Sequence, residues 1–318
     1  MGSLVSIIVP HYNTLNTLLR LIRSIPVRDD IEVLIVDDNS DIPLEKLRYS
    51  LEEFPHVQLF QNDSGVKGAG ASRNIALRKA LGKWLLFADA DDYFTEGFYE
   101  KIFPYLESDY DIVYFPPTSM DEATGKEASR HIKYMERVNN YYNNPSFENR
   151  TVLRFGFGTP WSKLIRRSIF EEHKLEFEEI LVGNDIMCMT RCGYYSHNIK
   201  ASNETIYCVT RGSGTLTSKK DEKNFDMRTA LLIREYCFLR DNLSKEEFKL
   251  VHMERLALRR LVIAAFIDRW GIKKLLEILR LYRKNKIKVF DIGLLNPIEF
   301  LRAIKKAVIY NNEMKKHR

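Results

Sequence analysis

Four short apolar runs, at residues 4–9, 31–36, 57–61 and 84–88, alternate with stretches at 14–25, 43–53 and 71–81 whose apolar residues recur at helical spacing. Runs this short and this continuously apolar read as strands buried on both faces. Strands of that kind alternating with helices fold as a mostly parallel α/β sheet with helices against it. Such a sheet also fixes where chemistry can occur, because its ligands bind beyond the carboxyl ends of the strands. Polar clusters at 10–13, 37–40 and 89–92 each follow a strand there, so they are expected to converge on one site. With 318 residues, 45 % apolar and 12 % aromatic, the chain suffices for one large domain, alone or with an appendage. Past residue 92 we expect a helix near 96–107, a strand at 111–115, an irregular excursion over 117–146, helices at 160–173 and 183–193, and a strand at 204–210. From 225 onward the pattern is helical, near 225–241, 244–268, 271–285 and 297–310.

Asp89-Ala90-Asp91-Asp92 carries three carboxylates at the end of the fourth apolar run. Like charges that close stay ionised together only with a cation or strong donors among them. A hard divalent cation that also holds a phosphate is the simplest occupant; a solvated loop capping the next helix is the alternative. Asp37-Asp38-Asn39-Ser40 allows a carboxylate to accept a base N–H, or an Asx turn with no ligand. Residues 65–74 are glycine-rich and open a helix, so backbone N–H groups there and Arg73 could face a phosphate. They form neither a dinucleotide fingerprint nor a Walker loop, which disfavours a nicotinamide dehydrogenase.

In order along the chain, Val5 to Asn13, Val33 to Ser40, Ala71-Ser72-Arg73-Asn74, Leu86 to Asp92, Pro160 to Arg167 and Tyr207 to Thr217 resemble the family 2 glycosyltransferases of GT-A fold. The resemblance covers roughly residues 4–218 and implies a nucleotide-diphospho-sugar transferase, with residues 1–224 as the transferase domain; the basic helical extension expected over 225–318 lies outside the resemblance. It implies that Pro10 and Tyr12 pack on the nucleobase, that Asp38 accepts the uracil N3–H, and that Arg73 lies near the nucleotide. Asp89 would take the ribose or diphosphate side and Asp91 a Mg²⁺ or Mn²⁺ ion, with Asp92 a further ligand or, as we favour, a support behind them. Inverting transfer also needs a base for the acceptor hydroxyl. Asp185 stands in the family's place for it, preceded by Asn184 where a Glu is usual; the alternative is a helix cap. Trp161 reads equally as a sugar platform or as core. Arg211, beside Ser213 and Gly214, resembles a segment that closes on the diphosphate.

The expected reaction moves one sugar from a nucleotide sugar, a UDP-sugar by the resemblance, to a saccharide or lipid-linked saccharide in surface polysaccharide assembly. A noncatalytic nucleotide-sugar-binding or scaffold subunit is the alternative, and a nucleotidyltransferase a more distant one that would leave Asp185 without a role. Cys188, Cys192, Cys208 and Cys237 lack zinc spacing and read as core thiols of a reducing compartment. Neither a signal peptide nor an 18-residue apolar span is apparent, so a cytoplasmic protein is expected. Residues 225–318 hold 22 Lys and Arg against 11 Asp and Glu. That surplus fits solvated helix faces, peripheral contact with an anionic lipid surface, or oligomerisation; it lacks a nucleic-acid motif.

Overall fold

The computed structural model describes residues 4–212 and 221–289, and the chain divides into two compact units, 1–213 and 214–318. The first unit opens as the apolar runs dictate: β1 (Val5–His11), α1 (Leu15–Arg23), β2 (Ile31–Asp37), α2 (Leu44–Leu51), β3 (Val57–Gln61), α3 (Ala69–Lys79) and β4 (Trp84–Phe87). β5 (Tyr93–Phe94), α4 (Phe98–Ile102), β6 (Ile112–Tyr114), β7 (Thr118–Asp121), α5 (Ile132–Asn143) and α6 (Phe147–Gly156) come next. β8 (Lys163–Arg166), α7 (Arg167–Glu172), α8 (Ile186–Tyr195), β9 (Ile199–Ala201) and β10 (Tyr207–Arg211) complete it.

Seven strands form the central sheet in the order β3-β2-β1-β4-β8-β6-β9, and β5-β10-β7 form a small second sheet. Pairs among β3, β2, β1 and β4 are parallel, whereas β8 runs antiparallel to both its neighbours. Every residue of β2 and β4 is buried, as expected of strands covered on both faces. Strand order reverses between β1 and β4, which opens a crevice beyond their carboxyl ends. Register places His11 beside Asp37 there. Pro10 costs no ladder bond toward β4, because that pairing ends at Ile8 opposite Phe87.

Three expectations change. Residues 117–146 are not irregular: they contain β7 and α5. The stretch 160–173 is a strand followed by a short helix, β8 and α7, and not one helix. Lys163, Leu164 and Ile165 are held by pairing with β6, a long-range fact that local spacing does not encode. In the second unit, 244–268 breaks into α10 (Lys245–Val251), α11 (Met253–Val262) and a π-helical turn (Ile263–Ile267), after α9 (Glu222–Asn242). The break falls at His252, in the left-handed conformation at φ 55°. α12 (Ile272–Lys284) closes the described part of this unit. Lys274 on α12 reaches Asp226 and Glu222 on α9 and its own helix's Glu277 at 2.9–3.1 Å. The helix expected at 297–310 lies outside the described residues.

Candidate active site

Asp89, Asp91 and Asp92 bring carboxylate oxygens within 4.8 Å of one another just past β4. They are not equivalent. Asp92 is buried, and β10 holds both its oxygens: Tyr207 Oη donates to Oδ2 at 2.9 Å and the Thr210 N–H to Oδ1 at 2.7 Å. Tyr207 Oη in turn accepts the Asp89 N–H at 2.9 Å, which fixes the hydroxyl proton toward Asp92. Burial foremost, and then the charges of Asp91 and Asp89, push the Asp92 carboxyl well above the ordinary carboxylate range. The Asp91 carbonyl accepts from Arg20 Nη2 at 2.6 Å and from the Thr210 hydroxyl, so its backbone is held from two sides. That leaves its half-buried carboxylate without a donated side-chain bond, and burial first, then Asp89, raise it to about 6. Asp89 gives one oxygen to Arg73 Nη2 at 2.6 Å and keeps the other. The donor set that fits a hard divalent cation is therefore Asp91 with the free oxygen of Asp89, while Asp92 braces them.

Arg73, buried on α3, joins the two halves of the site. Its Nη1 donates to Asn184 Oδ1 at 2.8 Å while Nη2 holds Asp89. The neighbouring Asn74 fixes the approach: its amide exchanges two bonds, at 2.8 and 2.9 Å, with the backbone of Phe177. Gly70 lets the helix come this near, since a Cβ there would lie 2.1 Å from the Glu178 carbonyl oxygen. Gly68 begins the helix at φ +130°, open to glycine alone, and its N–H donates to Asp38 Oδ2 at 2.8 Å.

Asp185 occupies the first position before α8 but makes no side-chain capping bond, so its carboxylate is not consumed as a helix cap. Burial raises it above the ordinary carboxylate range, and Asp89 adds to this, while the Arg73 guanidinium and the buried Lys163 ammonium oppose the shift. Asp185 therefore lies in the same electrostatic neighbourhood as Asp89 and Arg73. Lys163 donates to the carbonyls of Phe157 and of Thr159 (2.7 Å for the latter), and burial lowers it to about 7.

The remaining candidates take varied positions. Tyr12 is exposed, with Lys67 Nζ 3.9 Å from its ring centroid, and Pro10 is half-buried beside it in sequence. Asp38 is buried, and Asn62 Nδ2 donates to its Oδ1 at 2.6 Å in addition to the Gly68 bond. Trp161, read as either platform or core, is packed in the core at 5 % exposure. Its indole stacks on Tyr207 at 5.9 Å and 14° and meets Tyr134 and Phe157 edge-on, which closes its face to a sugar ring. What it supports is Tyr207. Arg211 ends β10 half-buried, in register with Asp121; residues 213–217 of its segment lie outside the described residues. The sequence reading missed Arg20, Thr210, Asn62 and the bracing role of Tyr207. Of these, only Tyr207 and Thr210 gave a signal, since both fall within the recognised segment from Tyr207 to Thr217.

A parallel sheet with a carboxylate-rich crevice at its β1/β4 switch point, extended by an antiparallel strand, defines the GT-A fold of the sugar transferases. The sequence pattern of glycosyl transferase family 2 matches residues 6–174, more than half of the chain, and the chain belongs to that family. It is 26 % identical over 258 residues to the putative glycosyltransferase EpsH of Bacillus subtilis (strain 168), covering 77 % of this chain and 72 % of that one. It is 25 % identical over 229 residues to the glycosyltransferase GlyA of Streptococcus pneumoniae, covering 69 % of this chain but 32 % of that one. In structure it is similar to residues 1–349 of S. aureus TarS in complex with UDP-GlcNAc, with a TM-score of 0.61 and 19 % identity over 83 % of this chain and 73 % of that one.

Proposed function

We propose that the chain is an inverting glycosyltransferase that moves a sugar from a UDP-sugar to a saccharide or lipid-linked saccharide acceptor in surface polysaccharide biosynthesis. The observation that carries this reading is that Arg73 bonds both Asp89, past β4, and Asn184, the residue before Asp185. Similarity to TarS, whose structure holds UDP-GlcNAc, supports the choice of donor.

The exposed Tyr12 ring and Pro10 offer an apolar platform for the base at the end of β1. Asp38 stands beside them, with each oxygen retaining acceptor capacity beyond its one protein bond. A Mg²⁺ or Mn²⁺ ion, held by Asp91 and Asp89, would supply charge neutralisation for the departing diphosphate. Arg211, at the end of β10, is the cation proposed to meet the diphosphate from the far side. Asp185 takes the acceptor hydroxyl proton as the sugar carbon is attacked. Its raised proton affinity suits a base, and Arg73 and Lys163 keep the carboxylate form accessible. Asn184 holds Arg73 without adding another carboxylate beside Asp185.

The test is a panel of UDP-, GDP- and dTDP-sugars with Mn²⁺, read by thermal shift and by release of nucleoside diphosphate. Stabilisation by UDP-sugars with turnover on a saccharide acceptor is expected. Binding without turnover across donors and acceptors would replace this reading with a noncatalytic nucleotide-sugar-binding subunit, and pyrophosphate release from a nucleoside triphosphate supplied with a sugar phosphate would replace it with a nucleotidyltransferase.

A further inference from the structure

α12 has two apolar faces, and the described residues of the second unit cover only one. Inward, Lys274, Ile278 and Tyr282 are buried at successive turns, with Tyr282 Oη donating to the Ala257 carbonyl at 3.1 Å. Outward, Ile272, Leu276 and Leu279 recur at helical spacing with exposures of 67, 46 and 42 %. Arg283 continues this outward row, and Lys273, Arg280 and Lys284 form one shoulder of it, all exposed. Glu277, the helix's only acid, turns to Lys274 at 3.1 Å and leaves four cations on the outward row and its shoulder. Over residues 269–288 it is the single acid against eight Lys and Arg. By contrast, the stretch 263–270, whose apolar and basic residues also suggest a membrane edge, presents chiefly Phe266, since Ala264 is buried and Trp270 lies half-buried against Phe225.

We infer that the outward face of α12 docks on an anionic lipid bilayer, with Ile272, Leu276 and Leu279 entering the acyl boundary and Lys273, Arg280, Arg283 and Lys284 meeting the head groups. A row of exposed aliphatic side chains beside uncompensated cations is the pattern of an interfacial helix, which lies in the membrane surface and does not cross it. No described helix is long and apolar enough to cross a membrane. Charge complementarity separates this occupant from the others. A second copy of the chain would bring the same basic shoulder against itself. Residues 290–318 hold six Lys and Arg against three acids and are also net basic. A nucleic acid would satisfy the cations but leave the aliphatic row in water. The inference goes beyond the proposed reaction, since lipid binding requires no turnover.

The test is co-sedimentation of the full chain with phosphatidylglycerol–phosphatidylcholine vesicles and with pure phosphatidylcholine vesicles. Pelleting with the anionic vesicles alone, weakened by salt, is expected. Leu276→Asp/Leu279→Asp should lower that binding roughly tenfold or more, because it removes apolar contact and adds two charges repelled by the lipid. Arg280→Ala/Arg283→Ala should lower it severalfold, with melting temperature unchanged in both variants, as their sites are exposed. Three results would overturn the inference: equal pelleting of wild type and both variants, equal binding to both kinds of vesicle, or a wild-type dimer that the Leu variant dissociates while neither binds lipid. Binding of duplex DNA in place of vesicles, insensitive to the Leu substitutions, would do so as well.

Discussion

At the residue scale the site turns on what surrounds Arg73. Its two nitrogens divide between Asp89 and Asn184, and Asp185 shares its field. A neutral amide at 184 orients the guanidinium while sparing Asp185 another negative neighbour. Asn184→Asp keeps the acceptor oxygen and adds that charge, so the Asp185 carboxyl should rise further. A base works only when deprotonated, so activity should be lost as pH falls through the pKa of Asp185, above the ordinary carboxylate range. In Asn184→Asp that acid limb of the kcat profile should move to higher pH, with donor KM little changed; an unmoved limb would remove Asn184 from this role. Asp91 gives a second pH dependence. Its carboxyl is pushed up to about 6, so in the metal-free protein ionising it lowers stability as pH rises through that value. A cation relieves the cost, whereas a proton competes with the cation below it. The gain in melting temperature from Mn²⁺ should therefore be larger at pH 7.5 than at pH 5, and a gain independent of pH would remove Asp91 as a ligand. Asp89, Asp91 and Asp185 were singled out in the sequence by their places in the family's order of motifs, since a carboxylate at a strand or helix end serves as readily in an Asx turn or a cap. Arg20 and Asn62 were not, because a single Arg on a helix or Asn after a strand gives no sign of its distant partner.

At the scale of elements, β10 is a brace for the loop of Asp89, Asp91 and Asp92. Tyr207 joins Asp89 N–H to Asp92, Thr210 grips Asp92 and the Asp91 carbonyl, and Trp161 stacks behind Tyr207. Tyr207→Phe would leave the Asp89 N–H and an Asp92 oxygen without this partner. Loss of a buried bond of this kind costs about 1–3 kcal/mol. We expect a corresponding fall in unfolding free energy by denaturant titration, together with a smaller Mn²⁺ thermal shift. Full stability with an unchanged shift would show that β10 does not set the loop. The first four strands and their helices could be read from period and apolar continuity, since β1, β2 and β4 are buried almost throughout and only the edge strand β3 is partly exposed. β8 could not, because four residues carry little periodic signal and their strand state comes from pairing with β4 and β6. β7 was missed for the same reason, its partner β10 lying far along the chain.

At the scale of the whole molecule, the sequence of motifs indicated a GT-A transferase, and the sheet order supplies the reason they work together. Reversal of strand order between β1 and β4 sets the ends of β1, β2 and β4 around one crevice, and α3 carries Arg73 to its edge. The second unit is a helical body whose inner packing uses Lys274 as a three-carboxylate hub and whose outward α12 face is apolar and basic. The charge surplus of that region was visible from composition; which helix presents it beside exposed leucines was not. The central claim is that Asp185 is the base of a transfer reaction built on a nucleotide-sugar site. Its most direct test compares full-length wild type with Asp185→Asn for sugar transfer from the preferred UDP-sugar and, in parallel, for UDP affinity with Mn²⁺. Transfer should fall by at least about 10²-fold, the lower end of general-base contributions, with UDP affinity nearly unchanged. Transfer retained by Asp185→Asn at the wild-type rate would contradict the claim.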